Sequence, residues 1–157
     1  MIKKKIDILI DKKIFSFKTN LIGKIQIKNL IFAIIAAYLS NIKIKDILKS
    51  IDKIKPINGR MEKIGNLKNK STIILDYAHT PDALKTSILN IKEDYPLSNI
   101  SIVFGCGGDR DIDKRPMMGA IVNKYCDSIY LTDDNPRFEN PKIIRNQIKK
   151  RIKNKFF

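Results

Sequence analysis

Residues 2 to 19, IKKKIDILIDKKIFSFKT, alternate apolar and polar positions, and the break at Asp11 to Lys13 predicts two short strands joined there. The period then changes. Residues 25 to 40, IQIKNLIFAIIAAYLS, predict a mostly apolar, largely buried helix, and a second helix over about 43 to 54 places Ile44, Ile47, Leu48, Ile51 and Ile54 on one stripe. Pro56 and Gly59 punctuate the chain after it. Two strands alone are marginal, so the apolar face of this first part needs a partner sheet that the sequence does not obviously provide.

From about Ser71 the pattern becomes strand, loop, helix, three times over. Apolar runs at Thr72 to Leu75, Ile100 to Phe104 and Ser128 to Leu131 predict strands. Helices are predicted from about Pro81 to Asp94, from about Arg115 to Tyr125, and after Pro141, the last with Ile144, Ile148 and Ile152 inward and lysines outward. Such alternation with short loops implies a parallel sheet with right-handed crossovers, so the fold class is α/β with a Rossmann-like sheet.

Length and composition narrow the field. A chain of 157 residues holds one domain, or a small domain plus part of another, and buries roughly two thirds of its unfolded surface without needing metal or disulfide staples. Cys106, Cys126 and His79 do not make a four-ligand zinc site or a disulfide framework, so free thiols and no metal site are expected. No apolar run reaches the roughly eighteen residues that span a bilayer, and Asp7 interrupts the first segment where a signal peptide needs apolar sequence; a cytoplasmic protein without a membrane partner is expected. The net charge of +15 invites a nucleic-acid reading. Lysine, isoleucine and asparagine are inflated together while arginine is scarce, and aromatic residues do not interleave with the lysines. No nucleic-acid partner is therefore expected.

Each predicted strand is followed by a dense polar cluster: DYAHTPD at 76 to 82, GCGGDRD at 105 to 111 with KRP at 114 to 116, and TDDNPR at 132 to 137. In open parallel sheets, ligands bind beyond the strand carboxyl ends, so three loops converge on one crevice. In the first cluster Thr80 is a good N-cap, Pro81 suits the first helical position and Asp82 complements the helix dipole. Asp76 and His79 are not explained by capping and are the candidate catalytic residues. His79 could equally bond a backbone carbonyl. The glycines at 105, 107 and 108 would let backbone approach a ligand closely, but the third glycine of the dinucleotide fingerprint is missing and no Walker-type phosphate loop occurs. Cys106 reads as a small residue packed in a turn rather than a nucleophile. In the third cluster, acids suit an ammonium and arginine forks onto a carboxylate, as a zwitterionic ligand would require, against the plain alternative of an Asp-Asn-Pro turn.

The stretches GKIQIKNLIFAI (23 to 34), GRME (59 to 62), LDYAHTPDAL (75 to 84), VFGCGGDRDIDKRPMMG (103 to 119) and TDDNPR (132 to 137) resemble, in order and spacing, the Mur ligase family, in its diaminopimelate-adding branch. The resemblance implies an ATP- and magnesium-dependent amide ligase of peptidoglycan precursor synthesis. Such an enzyme phosphorylates the terminal carboxylate of UDP-N-acetylmuramoyl-L-alanyl-D-glutamate and lets the amine of meso-diaminopimelate attack the acyl phosphate. By the same resemblance Asn29 and Arg60 face the nucleotide's base and phosphates, Asp76 its ribose, and Arg110, Asp134, Asn135, Pro136 and Arg137 hold the diaminopimelate.

Measured against the family, residues 1 to 58 resemble the tail of a central ATP-binding domain, and residues 59 to 157 a Rossmann-like C-terminal domain lacking its last elements. Gln26 stands where the family usually has asparagine. The phosphate loop and the metal ligands are not encoded in this stretch, so a fragment inactive alone is expected, with a second polypeptide carrying the missing domains as a candidate partner. The alternatives are a non-catalytic amino-acid-binding module, half of a split ligase, or, within the superfamily, a cyanophycin or folylpolyglutamate synthetase, which DNPR disfavours.

Overall fold

The computed structural model describes residues 4–153. Strands β1 (Lys4–Ile10) and β2 (Lys13–Thr19) form an antiparallel hairpin in which Ile8 faces Phe15 and Ile10 faces Lys13. Asp11 and Lys12 both adopt positive φ, 47° and 61°, as a two-residue hairpin turn whose twist matches the strands requires. The Tyr38 hydroxyl donates to the Asp11 carboxylate, tying that turn to helix α1 (Lys24–Leu39).

Helix α2 (Ile44–Ile51) completes the first core, in which Phe17, Leu21, Leu30, Ile34 and Ile51 are buried and Ile44, Ile47 and Leu48 pack against them. The expected stripe is therefore cut short: α2 stops at Ile51 and Ile54 is exposed. Pro56, two residues further on, disfavours helical backbone at Lys55 and cannot donate a helical hydrogen bond itself. Nor is α1 largely buried. Hairpin and α2 cover the side carrying Leu30 and Ile34, while Ile25, Phe32, Ile35 and Leu39 are exposed, Leu39 by 74%. A helix apolar on all sides needs cover on all sides, and the described residues supply it on one.

Strand β3 (Glu62–Asn66) was not predicted; it pairs antiparallel with β4 (Thr72–Leu75), with an irregularity between Lys63 and Gly65. Its sequence, EKIGN, offers a single large apolar residue and a glycine, so period two never becomes visible. The first of the three expected strands thus has an antiparallel partner. Packing divides the chain between Tyr77 and Ala78, so β3 and β4 belong with the hairpin and α1 to a first compact unit.

In the second unit, β5 (Ser101–Phe104) and β6 (Ser128–Leu131) pair in parallel, Ser101 opposite Ser128 and Phe104 opposite Leu131. Helices α3 (Pro81–Asp94), α4 (Lys114–Tyr125) and α5 (Pro141–Lys149) alternate with them, giving the predicted α/β class with a parallel sheet. Thr80 caps α3 by accepting from the Ala83 amide at 3.3 Å, with Pro81 and Asp82 in the first turn; Asn140 likewise caps α5. Leu84, Ile88, Met118, Val122, Ile129, Ile144 and Ile148 form the core, Ile129 and Val122 without any exposed surface. A Cβ at Gly119 would lie 2.1 Å from the Ile148 carbonyl oxygen, so glycine is what lets α4 and α5 approach this closely. Among the described residues, no helix is long and apolar enough to cross a membrane.

Candidate functional site

Because β5 and β6 are parallel, the loops leaving their carboxyl ends, 105–113 and 132–140, emerge at one edge. They interlock. The Gly108 amide donates to the Asn135 carbonyl at 2.9 Å, and the Arg137 guanidinium donates through Nη1 to the Gly108 carbonyl. The Phe138 amide reaches Asp109 Oδ2 at 3.4 Å.

Gly105 and Gly108 serve this contact between the loops. A Cβ at Gly105 would lie 2.4 Å from the Thr132 carbonyl oxygen, and one at Gly108 would lie 1.8 Å from that of Pro136. Neither glycine has positive φ; the left-handed residues here are Asp109 (49°) and Arg137 (50°). Asn135 Oδ1 accepts the Arg137 amide at 3.2 Å, so the plain Asp-Asn-Pro turn is also realised.

On this edge Asp133 is claimed by Arg145 of α5, which leaves Asp134 as the acid available at the rim, exposed like Asn135 and Arg137, with Pro136 half-buried. Arg110 is exposed too, and among the described residues no hydrogen bond or ion pair occupies its guanidinium. Arg137 commits one nitrogen to Gly108 and keeps further donors for a carboxylate. The crevice lined by Cys106, Thr132, Asp134, Pro136 and Ile144 encloses no space even for a water molecule, so the place is an open rim and not a closed chamber. Cys106 itself is buried, its Sγ lies 3.7 Å from Met118 Sδ, and burial pushes its thiol above the ordinary value, as befits a packed residue.

Sequence reasoning missed the centre of this arrangement. Arg115, fully buried at 0% exposure, forks onto Glu139: Nη1 to Oε2 and Nη2 to Oε1, both at 2.7 Å. It also donates to Gln147 Oε1 at 2.6 Å and to the Gly107 carbonyl at 3.2 Å. Glu139 in turn accepts the Asp109 amide at 2.6 Å. Arginine and Asp109 together hold the Glu139 carboxyl down from an ordinary 4.5 to about 2. A depressed carboxyl stabilises the fold in full above its unfolded value, and that contribution fades as pH falls towards 2. Glu139→Gln should therefore lower the melting temperature most above pH 4.5, with a gap that narrows on acidification. A gap independent of pH would contradict this.

In the first unit, Arg60 sits on a turn between Gly59 (φ 67°) and Met61 (φ 49°). Asp76, just beyond β4, accepts the Met61 amide at 3.0 Å, and Gln26 of α1 donates to the Arg60 carbonyl at 3.2 Å. The Arg60 guanidinium lies over the Tyr77 ring, 5.3 Å from its centroid. Arg60 and Asp76 are thus brought to one turn, and Gln26 is a buried support for it. Asn29 lies exposed on α1. His79, exposed at the start of the second unit, accepts Lys114 Nζ on its backbone carbonyl at 3.1 Å.

Residues 59–156 match the model of the Mur ligase, glutamate ligase domain. The chain belongs to the Mur ligase family. Among relatives of this Mur ligase chain, the UDP-N-acetylmuramoyl-L-alanyl-D-glutamate--2,6-diaminopimelate ligase of Rickettsia typhi is 42% identical over 144 residues, covering 91% of this chain and 28% of that protein. A solved structure of a ligase of the same name is 33% identical, with a TM-score of 0.63 over 95% of this chain and 30% of that one. The pseudomurein peptide ligase type C of Methanothermus fervidus shares the fold, with a TM-score of 0.74 at 22% identity over 100% of this chain and 29% of that one. The Mur ligase chain thus spans little more than a quarter of the length of the curated relatives it matches.

Proposed function

We propose that this chain supplies the amino-acid-binding part of an ATP-dependent ligase that adds meso-diaminopimelate to UDP-N-acetylmuramoyl-L-alanyl-D-glutamate in the cytoplasm. The observation that carries the reading is the interlock of the 105–113 and 132–140 loops, which sets Arg110, Asp134, Asn135 and Arg137 on two loops bonded to each other. The two guanidinium groups suit the two carboxylates of such an amino acid, and Asp134 with the Asn135 amide oxygen suits an ammonium. Residues 1–58 are read as the tail of the central ATP-binding domain and 59–157 as the C-terminal domain.

For the nucleotide, the Arg60 turn fits a supporting role: a cation on the Tyr77 face, braced by Gln26 and Asp76, with Asn29 as a polar neighbour in the family pattern. ATP would supply the phosphoryl group that activates the acceptor carboxylate. The 157 residues carry no phosphate loop, and among the described residues no three acidic, histidine or cysteine side chains gather to hold a metal ion. Residues outside this stretch, in the same chain or a second polypeptide, would then hold the triphosphate and magnesium. Within this chain the work is to bind and orient the incoming amine. We read His79 as a further contact at the reacting end.

The test is turnover. Joined to the preceding part of the Rickettsia typhi relative, the chain should release ADP only when both the UDP-linked dipeptide and meso-diaminopimelate are present. ADP release that ignores the amino acid, or that prefers lysine, would overturn the reading.

A further inference from the structure

We propose that Arg115 and Glu139 form a positioning pair, a buried clasp that sets the spacing between the two amino-acid-binding loops. This rests on the functional reading above and deepens it. Arg115 has no exposed surface, yet touches neither loop tip: its guanidinium holds Glu139 at the end of one loop and the Gly107 carbonyl in the other. Glu139 closes the circuit by accepting the Asp109 amide at 2.6 Å, the residue before Arg110, while its own amide donates to the Pro136 carbonyl at 3.0 Å, the residue before Arg137. Both candidate carboxylate-binding arginines are thus one residue away from an atom the clasp fixes. Gln147 of α5 braces the same guanidinium at 2.6 Å, so the loops are referred to the helical core and not only to each other.

Stability alone is a poor reason for this arrangement. Burying an ion pair commonly stabilises no better than apolar residues of similar volume, and Arg115 Nε–H has no hydrogen-bond partner among the described residues. What charge and fork provide, and apolar packing would not, is direction: four donor contacts from one planar group fix both loops at once. A shift of about 1 Å between the loops would move one arginine off a ligand whose carboxylates the other still holds.

The experiment compares affinities of the unchanged chain and of two variants for meso-diaminopimelate and for lysine, by calorimetry, beside melting temperature. The variants are Glu139→Gln, which keeps shape but removes the charge, and the apolar double replacement Arg115→Met with Glu139→Met. Merely lowering the folded fraction weakens both ligands alike and leaves their ratio unchanged. The clasp predicts that diaminopimelate binding weakens at least tenfold and that its preference over lysine collapses, even where the double variant melts as high as the unchanged chain. A preserved ratio in either folded variant overturns the clasp while leaving the functional reading in place. Failure of the unchanged chain to bind diaminopimelate overturns both.

Discussion

Arg137→Ala should collapse the preference for meso-diaminopimelate over lysine. The two amino acids differ by one carboxylate, and Arg137 is held where it can meet it: its backbone is fixed at φ 50°, Asn135 accepts its amide, and one guanidinium nitrogen is anchored on the Gly108 carbonyl. With lysine bound, the remaining guanidinium donors would have no carboxylate to meet. A hydrogen bond to a charged group contributes about 1.5–3 kcal/mol, which converts to roughly tenfold to a hundredfold in affinity. Alanine removes the pair and the lysine-bound mismatch together, so the ratio of the two affinities should fall by that factor. Competition calorimetry reads this directly, and an unchanged ratio would refute the role.

Gly108→Ala should be more damaging to the fold. The added methyl would meet the Pro136 carbonyl oxygen at 1.8 Å, and the obstacle is backbone, which cannot swing aside as a side chain can. Overpacking of this kind costs about 1–3 kcal/mol, occasionally more. The loops would have to part, breaking the Gly108 to Asn135 hydrogen bond and the anchor of Arg137. The expected result is a lower urea midpoint together with loss of diaminopimelate binding. Because Gly108 does not have positive φ, an unchanged midpoint could not be attributed to relief of backbone strain and would mean the loops are not in this contact.

What the sequence made legible was local. A break at Asp11 to Lys13 between alternating segments marked the hairpin, whose turn is Asp11–Lys12, and a threonine followed by proline and an acid marks the start of α3. Apolar runs separated by helical patterns marked β5 and β6 to within a residue. What was not legible depends on partners distant in the chain. Arg115 and Glu139 are 24 residues apart, the first inside a polar cluster and the second singled out by no pattern, and only the fold closes them into an ion pair. The glycine-rich loop carried a signal of close approach, and the Thr132 and Pro136 carbonyls are what approach Gly105 and Gly108. Strand β3 was missed because pairing with β4, and not its own apolar content, makes it a strand. Of the site, the cluster positions were legible from strand ends, and the bracing by Gln26 under Arg60 was not.

Chemical-shift mapping of the isotope-labelled chain with meso-diaminopimelate is the most direct measurement of whether the two loops form one site. Backbone amides of 108–110 and of 134, 135 and 137 should shift together and saturate with a single dissociation constant. Saturable shifts confined to one loop, shifts elsewhere on the chain, or none at all would contradict it.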